Sequence, residues 1–196
     1  MSLWGNSDAD ESKPKNLTTA EKKEVYATAS GWVREAGSAL SGNNNTSATP
    51  ELLVAISALS TNLGAADVTE VEWITTAADK SAGFTLSVRV RYNEAVAVTG
   101  SPTLAVTNGN QGSGSGRGPH TLVYASGTGT NELVFSLAIA AANAATNAND
   151  VLTIGAQNIA KPGGATMKDA TGTASDAAVA ISAGQGTAAG GITVVA

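Results

Sequence analysis

The stretch Phe84–Leu104 constrains the fold more than any other part of the chain. Between Phe84 and Tyr92, large apolar residues alternate with polar ones, the period of two that is typical of a strand with one face in a core and the other in water. Asn93 and Glu94 interrupt this alternation, which resumes before Gly100-Ser101-Pro102 supplies a turn. The stretch therefore predicts a meander of short, half-buried strands.

A second clean alternation covers Glu132–Ile139, and we expect it to pair with the Phe84 strand or to face it across the core. Further short apolar runs follow at regular spacing, broken by Gly, Asn and Pro, which favours a mainly β fold of the sandwich type. The predicted centre of the core consists of nine large side chains: Phe84, Leu86, Val88, Val90, Tyr92, Leu133, Phe135, Leu137 and Ile139.

Composition excludes several classes of function. The formal charge of -5 argues against nucleic-acid binding, which needs clustered Lys and Arg. The absence of cysteine excludes disulfides and thiolate metal sites. We find neither the basic start and apolar run of a signal peptide nor the roughly 18 consecutive apolar residues of a membrane span. We therefore expect synthesis in a cytoplasm and no membrane partner.

The first third of the chain has a different pattern. Thr18 and Glu21 have the spacing of a capping box ahead of a short helical turn. The run from Val25 to Val33 indicates a hairpin with a small-residue turn. The run from Leu52 to Leu63 fits both a helix and a strand, and the sequence leaves this choice open. We expect a division into residues 1–66, a small and partly extended attachment region, and residues 67–196, the β-sandwich domain.

Three aromatic residues of the first region are candidate attachment residues: Trp4, Tyr26 and Trp32. Large aromatics flanked by polar residues commonly anchor interfaces, and the apolar residues of this region are too few for an independent core. The alternative is that they pack against the sandwich of their own chain.

Candidate chemical groups are better explained by structural roles. The glycine-rich loop that contains Ser115 lacks a Gly-Lys-Ser or Gly-Lys-Thr sequence and is interpreted as a solvated strand connection. His120, the only histidine, is interpreted as a surface residue. Glu70 and Glu72 share one face of a strand, and the aspartates Asp150, Asp169 and Asp176 fall in turns, where Asp usually forms the turn itself. We therefore predict no enzyme activity, no metal and no cofactor.

Two resemblances extend this interpretation. The segments FTLSVRVRYNEAVAVTGSPTLAVTNG, LVYASGTGTNELVFSLAI and ATMKDATGTAS resemble the bacterial Ig-like repeats of large surface and adhesion proteins. This resemblance implies an Ig-like β-sandwich for the second region. The sequence departs from those repeats at the insertion GNQGSGSGRGPH and at the shortened closing motif around Asp169.

The opening segments MSLWGN, KPKNLTTAEKKEVYATASGWV and ELLVAISAL are similar to the start of virion structural proteins of T4-like phages of marine cyanobacteria. This resemblance implies a capsid decoration protein on the outer surface of the virion head, made in the host cytoplasm. Its partners would be the major capsid protein or other virion proteins, with a homo-oligomer, such as a trimer, at a symmetry axis. The alternative is a receptor- or glycan-binding adhesin module of a tail or collar fibre.

Overall fold

The computed structural model describes residues 13–109, 119–171 and 174–196. This part of the chain is mainly β, as predicted, with three short α-helices: α1 Thr19–Lys23, α2 Leu59–Leu63 and α3 Ala183–Ala189. The strands, in chain order, are β1 Val25–Thr28, β2 Gly31–Arg34, β3 Glu51–Ala55, β4 Val68–Trp73, β5 Ala78–Asp79, β6 Phe84–Thr99, β7 Thr103–Gly109, β8 His120–Ser126, β9 Thr130–Ile139, β10 Val151–Thr153, β11 Gln157–Asn158, β12 Thr166–Asp169, β13 Ala180–Ile181 and β14 Gly191–Val195.

Most strands form one large sheet around a single main core. The hydrogen-bonded order is β3-β2-β1-β6-β9-β8-β7-β10-β14-β5, with β4 and β12 also paired to β6, while β11 and β13 form a small second sheet. Val71 of β4 and Leu152 of β10 belong to the same buried cluster, although their strands lie far apart in this order. The sheet therefore closes over its own inner face, which is consistent with the predicted β-sandwich.

The predicted centre of the core is confirmed. β6 and β9 are antiparallel neighbours, with Val88 opposite Phe135 and Val90 opposite Leu133. Seven of the nine predicted side chains are buried, and the other two, Phe84 and Leu137, pack against the same cluster. Phe135 also meets Tyr124 edge-on, with ring centroids 6.1 Å apart, an arrangement that stabilises aromatic pairs beyond their buried area.

The expected break at Asn93 and Glu94 is wrong, because β6 continues through both residues. The irregularity appears instead as a shift in the register of β6 against β9, between Arg91 and Val96. Asn93 and Glu94 are fully buried. Asn93 exchanges hydrogen bonds with the backbone of Asp67 at 2.7 and 3.0 Å, which satisfies a polar group inside the protein.

The expected meander after β6 is also wrong. The turn Gly100-Ser101-Pro102 leads into β7, which pairs with β8 and β10 and not with β6. β6 instead lies next to β9. Alternation of apolar residues indicated extended structure on both sides of this turn, but strands that are consecutive in the chain need not be neighbours in the sheet.

The local predictions for the first region are confirmed. Thr18 and Glu21 form the capping box of α1, and β1 and β2 form the antiparallel hairpin. The ambiguous run Leu52–Leu63 contains both structures, since it begins within β3 and ends with α2. Gly31 starts β2 with a φ of +135°, and a Cβ there would lie 2.0 Å from the carbonyl oxygen of Val54. Only glycine permits this approach of β3 to β2.

The first region has a small buried cluster of its own: Val25, Ala27, Trp32 and Leu59. Every buried member of the main core lies at Ala66 or later in the chain. The two clusters are separate, but Ala66, the last residue of the proposed first region, is already a member of the main core. That residues 1–66 attach to a partner and residues 67–196 fold alone stays a prediction.

Candidate functional site

A cleft of about 670 Å³ lies between the first region and the sandwich. One wall is formed by Tyr26 of β1 and by the segment that follows β2, beginning at Glu35. The other wall carries Arg89 and Arg91 of β6 and Glu132 of β9. Because ionisable side chains from both regions converge here, this cleft is the candidate functional site.

The cleft exists because the β1–β2 hairpin lies against β6. β1 and β6 pair in parallel, with Ala27 opposite Glu94. This places the hairpin over the polar face of β6, the face that alternation predicts to be in water. The expectation of a solvated face is wrong for Arg91, which is only 4% exposed.

Arg91 is the charged centre of the site. Its guanidinium donates to the backbone oxygen of Lys23 at 2.9 Å and to Glu72 at 3.2 Å. It also forms ion pairs with Glu35 at 3.3 Å and with Glu132. Burial alone would lower the pKa of Arg91, but these carboxylates outweigh burial and raise it above its ordinary value. The paired carboxylates offset the free-energy cost of burying the charge of Arg91. Removing any one of them would leave that charge less well compensated.

Glu35 faces Glu132 across the cleft, and their carboxylates approach the same nitrogen, Nη1 of Arg91, at 3.3 and 2.5 Å. Burial raises the pKa of Glu35, and the charges of Glu132 and Glu24 raise it further; Arg91 opposes them, and the resulting pKa is about 7. Two carboxylates that approach the same guanidinium nitrogen repel each other, and a proton on Glu35 relieves this repulsion. Glu35 therefore exchanges its proton near neutral pH, which an exposed glutamate does not do.

Lys23, the last residue of α1, forms ion pairs with the same face of the sandwich. Its ammonium contacts Glu70 and lies 3.2 Å from Glu72, and the hydrogen bond that it donates to Glu70 is the main cause of its raised pKa. Burial would raise the pKa of Glu72, but Arg91 and Lys23 together lower it. The prediction that Glu70 and Glu72 share one face is thus confirmed, and both are held as partners of cations.

The three candidate attachment residues have different positions. Tyr26 is half-buried and lines the cleft. Trp32 is fully buried with Leu59 in the cluster of the first region. The expectation that Trp32 offers its ring to a partner therefore needs correction, because its own hairpin and α2 already cover it. Trp4 lies outside the described residues.

His120 is not a surface residue, which corrects the expectation from the sequence. It is 6% exposed, and its Nε2 lies 3.2 Å from the hydroxyl of Thr146. Beside it, Asn108 donates to Asp150 at 3.0 Å. Burial lowers the pKa of His120, with a smaller opposing effect of Asp150. These residues form a buried polar cluster at the start of β8. Ser115 and the other residues of 110–118 lie outside the described residues.

Two of the three aspartates, Asp150 and Asp169, act as turn formers, as their positions in the sequence indicated. Asp150 accepts from the amide of Asn147 at 2.8 Å, and Asp169 accepts from the amide of Thr171 at 2.7 Å. Asp176 is largely exposed and pairs with Lys168 at 3.3 Å. Within residues 13–109, 119–171 and 174–196, no group of three or more His, Asp or Glu side chains could hold a metal ion.

No helix in the described ranges is long and apolar enough to span a membrane.

The sequence did not indicate that Glu35 belongs to this site or that the side chain of Arg91 is buried. The one available signal was the presence of Arg89 and Arg91 on the polar face of an otherwise apolar strand, together with a hairpin too small to stand alone. That signal does not identify which carboxylates meet the arginines, because the contacts join segments far apart in the chain: Glu35, Glu72 and Glu132.

The comparisons with known proteins find no matching protein family, no significantly similar curated protein and no significantly similar solved structure.

Proposed function

We propose that this chain is a non-enzymatic structural protein of a phage virion, a decoration protein bound to the outside of the head. Residues 1–66 would attach to the major capsid protein or to another virion protein, and the sandwich would project outward. The resemblance of the opening segments to virion proteins suggests the setting. A fold-level likeness alone would not support a function, so the proposal depends on how the first region is built.

One observation carries the proposal: the first region ends the large sheet with a strand that is open on one side. Among the described residues, β3 is paired only with β2 and is the last strand in the order. Leu52, on β3, is 50% exposed. A strand edge with unpaired backbone groups and an exposed apolar side chain is suited to pairing with another chain. The homo-oligomer or a capsid protein would supply that strand.

Quantitative mass spectrometry of purified virions tests the proposed location on the virion head. A decoration protein should be present in hundreds of copies per particle and in head fractions. A handful of copies confined to tail or collar fractions would contradict the proposal and support an adhesin module of a fibre.

A binding experiment tests the attachment surface. Purified full-length protein is added to particles that lack it, and the bound fraction is measured by sedimentation. We expect Leu52→Arg on β3 to abolish binding. Ile74→Arg is the matched control, because Ile74 is also exposed, at 40%, but follows β4 of the sandwich. Equal binding by both variants would exclude the β3 edge as the attachment surface.

A further inference from the structure

We propose that a proton on Glu35, beside the carboxylate of Glu132, latches the first region onto the sandwich. With the proton bound, the β1–β2 hairpin is docked tightly against β6; when the proton leaves, the docking weakens. This inference goes beyond the proposed function and does not depend on a virion setting. Its basis is that the two carboxyl groups come from opposite walls of the cleft and meet at the same nitrogen of Arg91.

The charges around Glu35 leave an excess of carboxylates. Lys23, Arg89 and Arg91 are the cations of this junction, and their recorded ion-pair partners are all glutamates. The groups that face Glu35 or its partners from the packed elements are Lys23 and Glu24 at the end of α1, Tyr26 on β1, Glu70 and Glu72 on β4, Arg89 and Arg91 on β6, and Glu132 on β9. A proton on Glu35 removes one negative charge from this group of carboxylates.

Among the described residues, few other contacts hold the two regions together, so the proton on Glu35 affects docking. The backbone pairing between β1 and β6 is recorded at one register position, Ala27 opposite Glu94. The buried apolar clusters of the two regions share no member. Docking therefore depends largely on the charged contacts of Arg91 and Lys23, whose balance changes when Glu35 ionises.

The direction of the pH effect follows from the pKa of Glu35. Docking raises this pKa from an ordinary value of 4.5 to about 7, so the docked state holds the proton at pH values where a free glutamate has lost it. Docking is therefore favoured at the lower pH and weakens as the pH rises through 7. These two values correspond to a roughly tenfold increase in hairpin opening between pH 6 and pH 8.5.

Amide hydrogen exchange of the full-length protein measures this opening directly. The readout is the protection of the β1 amides, Val25–Thr28, corrected for the intrinsic pH dependence of exchange, with the amides of β9 as an internal reference. We expect β1 protection to fall roughly tenfold between pH 6 and pH 8.5 while β9 protection is unchanged. Glu35→Gln mimics the protonated group and should keep β1 protection constant within about threefold.

Two further variants keep the test decisive. Glu132→Gln should reproduce the behaviour of Glu35→Gln, because either amide can donate to the remaining carboxylate. Asp176→Asn removes an equal charge from the exposed pair with Lys168 and should behave like the unsubstituted protein. The proposal is overturned if β1 protection of the unsubstituted protein is independent of pH. It is equally overturned if both Gln variants retain the full tenfold change.

Discussion

The sandwich and the first region are stabilised by different forces. The sandwich buries one large contiguous cluster drawn from strands along the whole sheet. In the part that the structure describes, the first region has a cluster of four buried apolar residues and is joined to β6 by a single backbone register position and by the charges around Arg91. The docking of the first region should therefore respond to pH and salt more strongly than the apolar core of the sandwich does.

The comparison shows why one protein can combine a rigid body with an adjustable attachment. The hydrophobic effect is insensitive to pH and has no preferred direction between the apolar groups. Charge contacts depend on protonation and on geometry, and a buried charge loses much when one partner is removed. The following four substitutions test this difference in order of expected effect.

Phe135→Ala should have the largest effect, because it opens a cavity in the middle of the sandwich. Phe135 is 0% exposed and packs against Tyr124. Loss of a buried aromatic side chain costs about 3–5 kcal/mol, a large part of the stability of a small domain. The free energy of unfolding from denaturant titration measures it. Leu52→Ala on the exposed β3 is the control, and an unchanged value for Phe135→Ala would contradict the core assignment.

Trp32→Ala should destabilise the first region by about 3 kcal/mol and leave the main transition of the sandwich in place. Trp32 is fully buried, but all its buried apolar neighbours belong to the first region. Limited proteolysis should show faster cleavage between residues 25 and 63, with a protected fragment that begins near residue 66. Loss of the sandwich transition in the same variant would show that the two regions unfold as one unit.

Gly31→Ala should cost roughly 2 kcal/mol and loosen β3 from β2. The added Cβ would meet the carbonyl oxygen of Val54, and the φ of +135° is itself unfavourable for alanine. Gly42→Ala is a matched control, because Gly42 also has a positive φ, +71°, but nothing lies within 4 Å of its added Cβ. Thermal melting compares the two, and equal shifts would mean that the close approach of β3 contributes nothing.

His120→Ala should cost about 1–2 kcal/mol by leaving a buried polar cluster incomplete. The hydroxyl of Thr146, 0% exposed, would lose its contact with the imidazole. Thr121→Ala, at the next and exposed position of β8, should be neutral. Denaturant titration at pH 7 distinguishes them.

The same histidine gives a pH effect of opposite direction to that of Glu35. Because folding lowers the pKa of His120 below its ordinary value of 6.5, its contribution to stability is present above pH 6.5 and is lost as the pH falls through the lower, folded value. His120→Ala should remove this loss. A pH profile that is the same with and without His120 would contradict the burial of the imidazole.

The sequence by itself determined the apolar face of the two central strands, β6 and β9, and the centre of the core of the sandwich. Alternation in β6 and β9 predicted which side chains point inward, because the period of two belongs to the strand itself and needs no distant contact. The capping box at Thr18 and the β1–β2 hairpin were predicted for the same reason, since their hydrogen bonds join residues close in the chain.

Only the tertiary structure decided what covers the polar faces. Alternation predicted that Arg91 points away from the main core, but not that a hairpin from the first region lies over it. Likewise, Trp32 and His120 are buried by contacts with α2 and with the segment around Thr146, which are distant in sequence. These contacts join residues that are far apart in the chain, and the local sequence around one residue does not indicate which distant residue it will contact. The Glu35–Arg91–Glu132 cluster exists only because three separate segments meet.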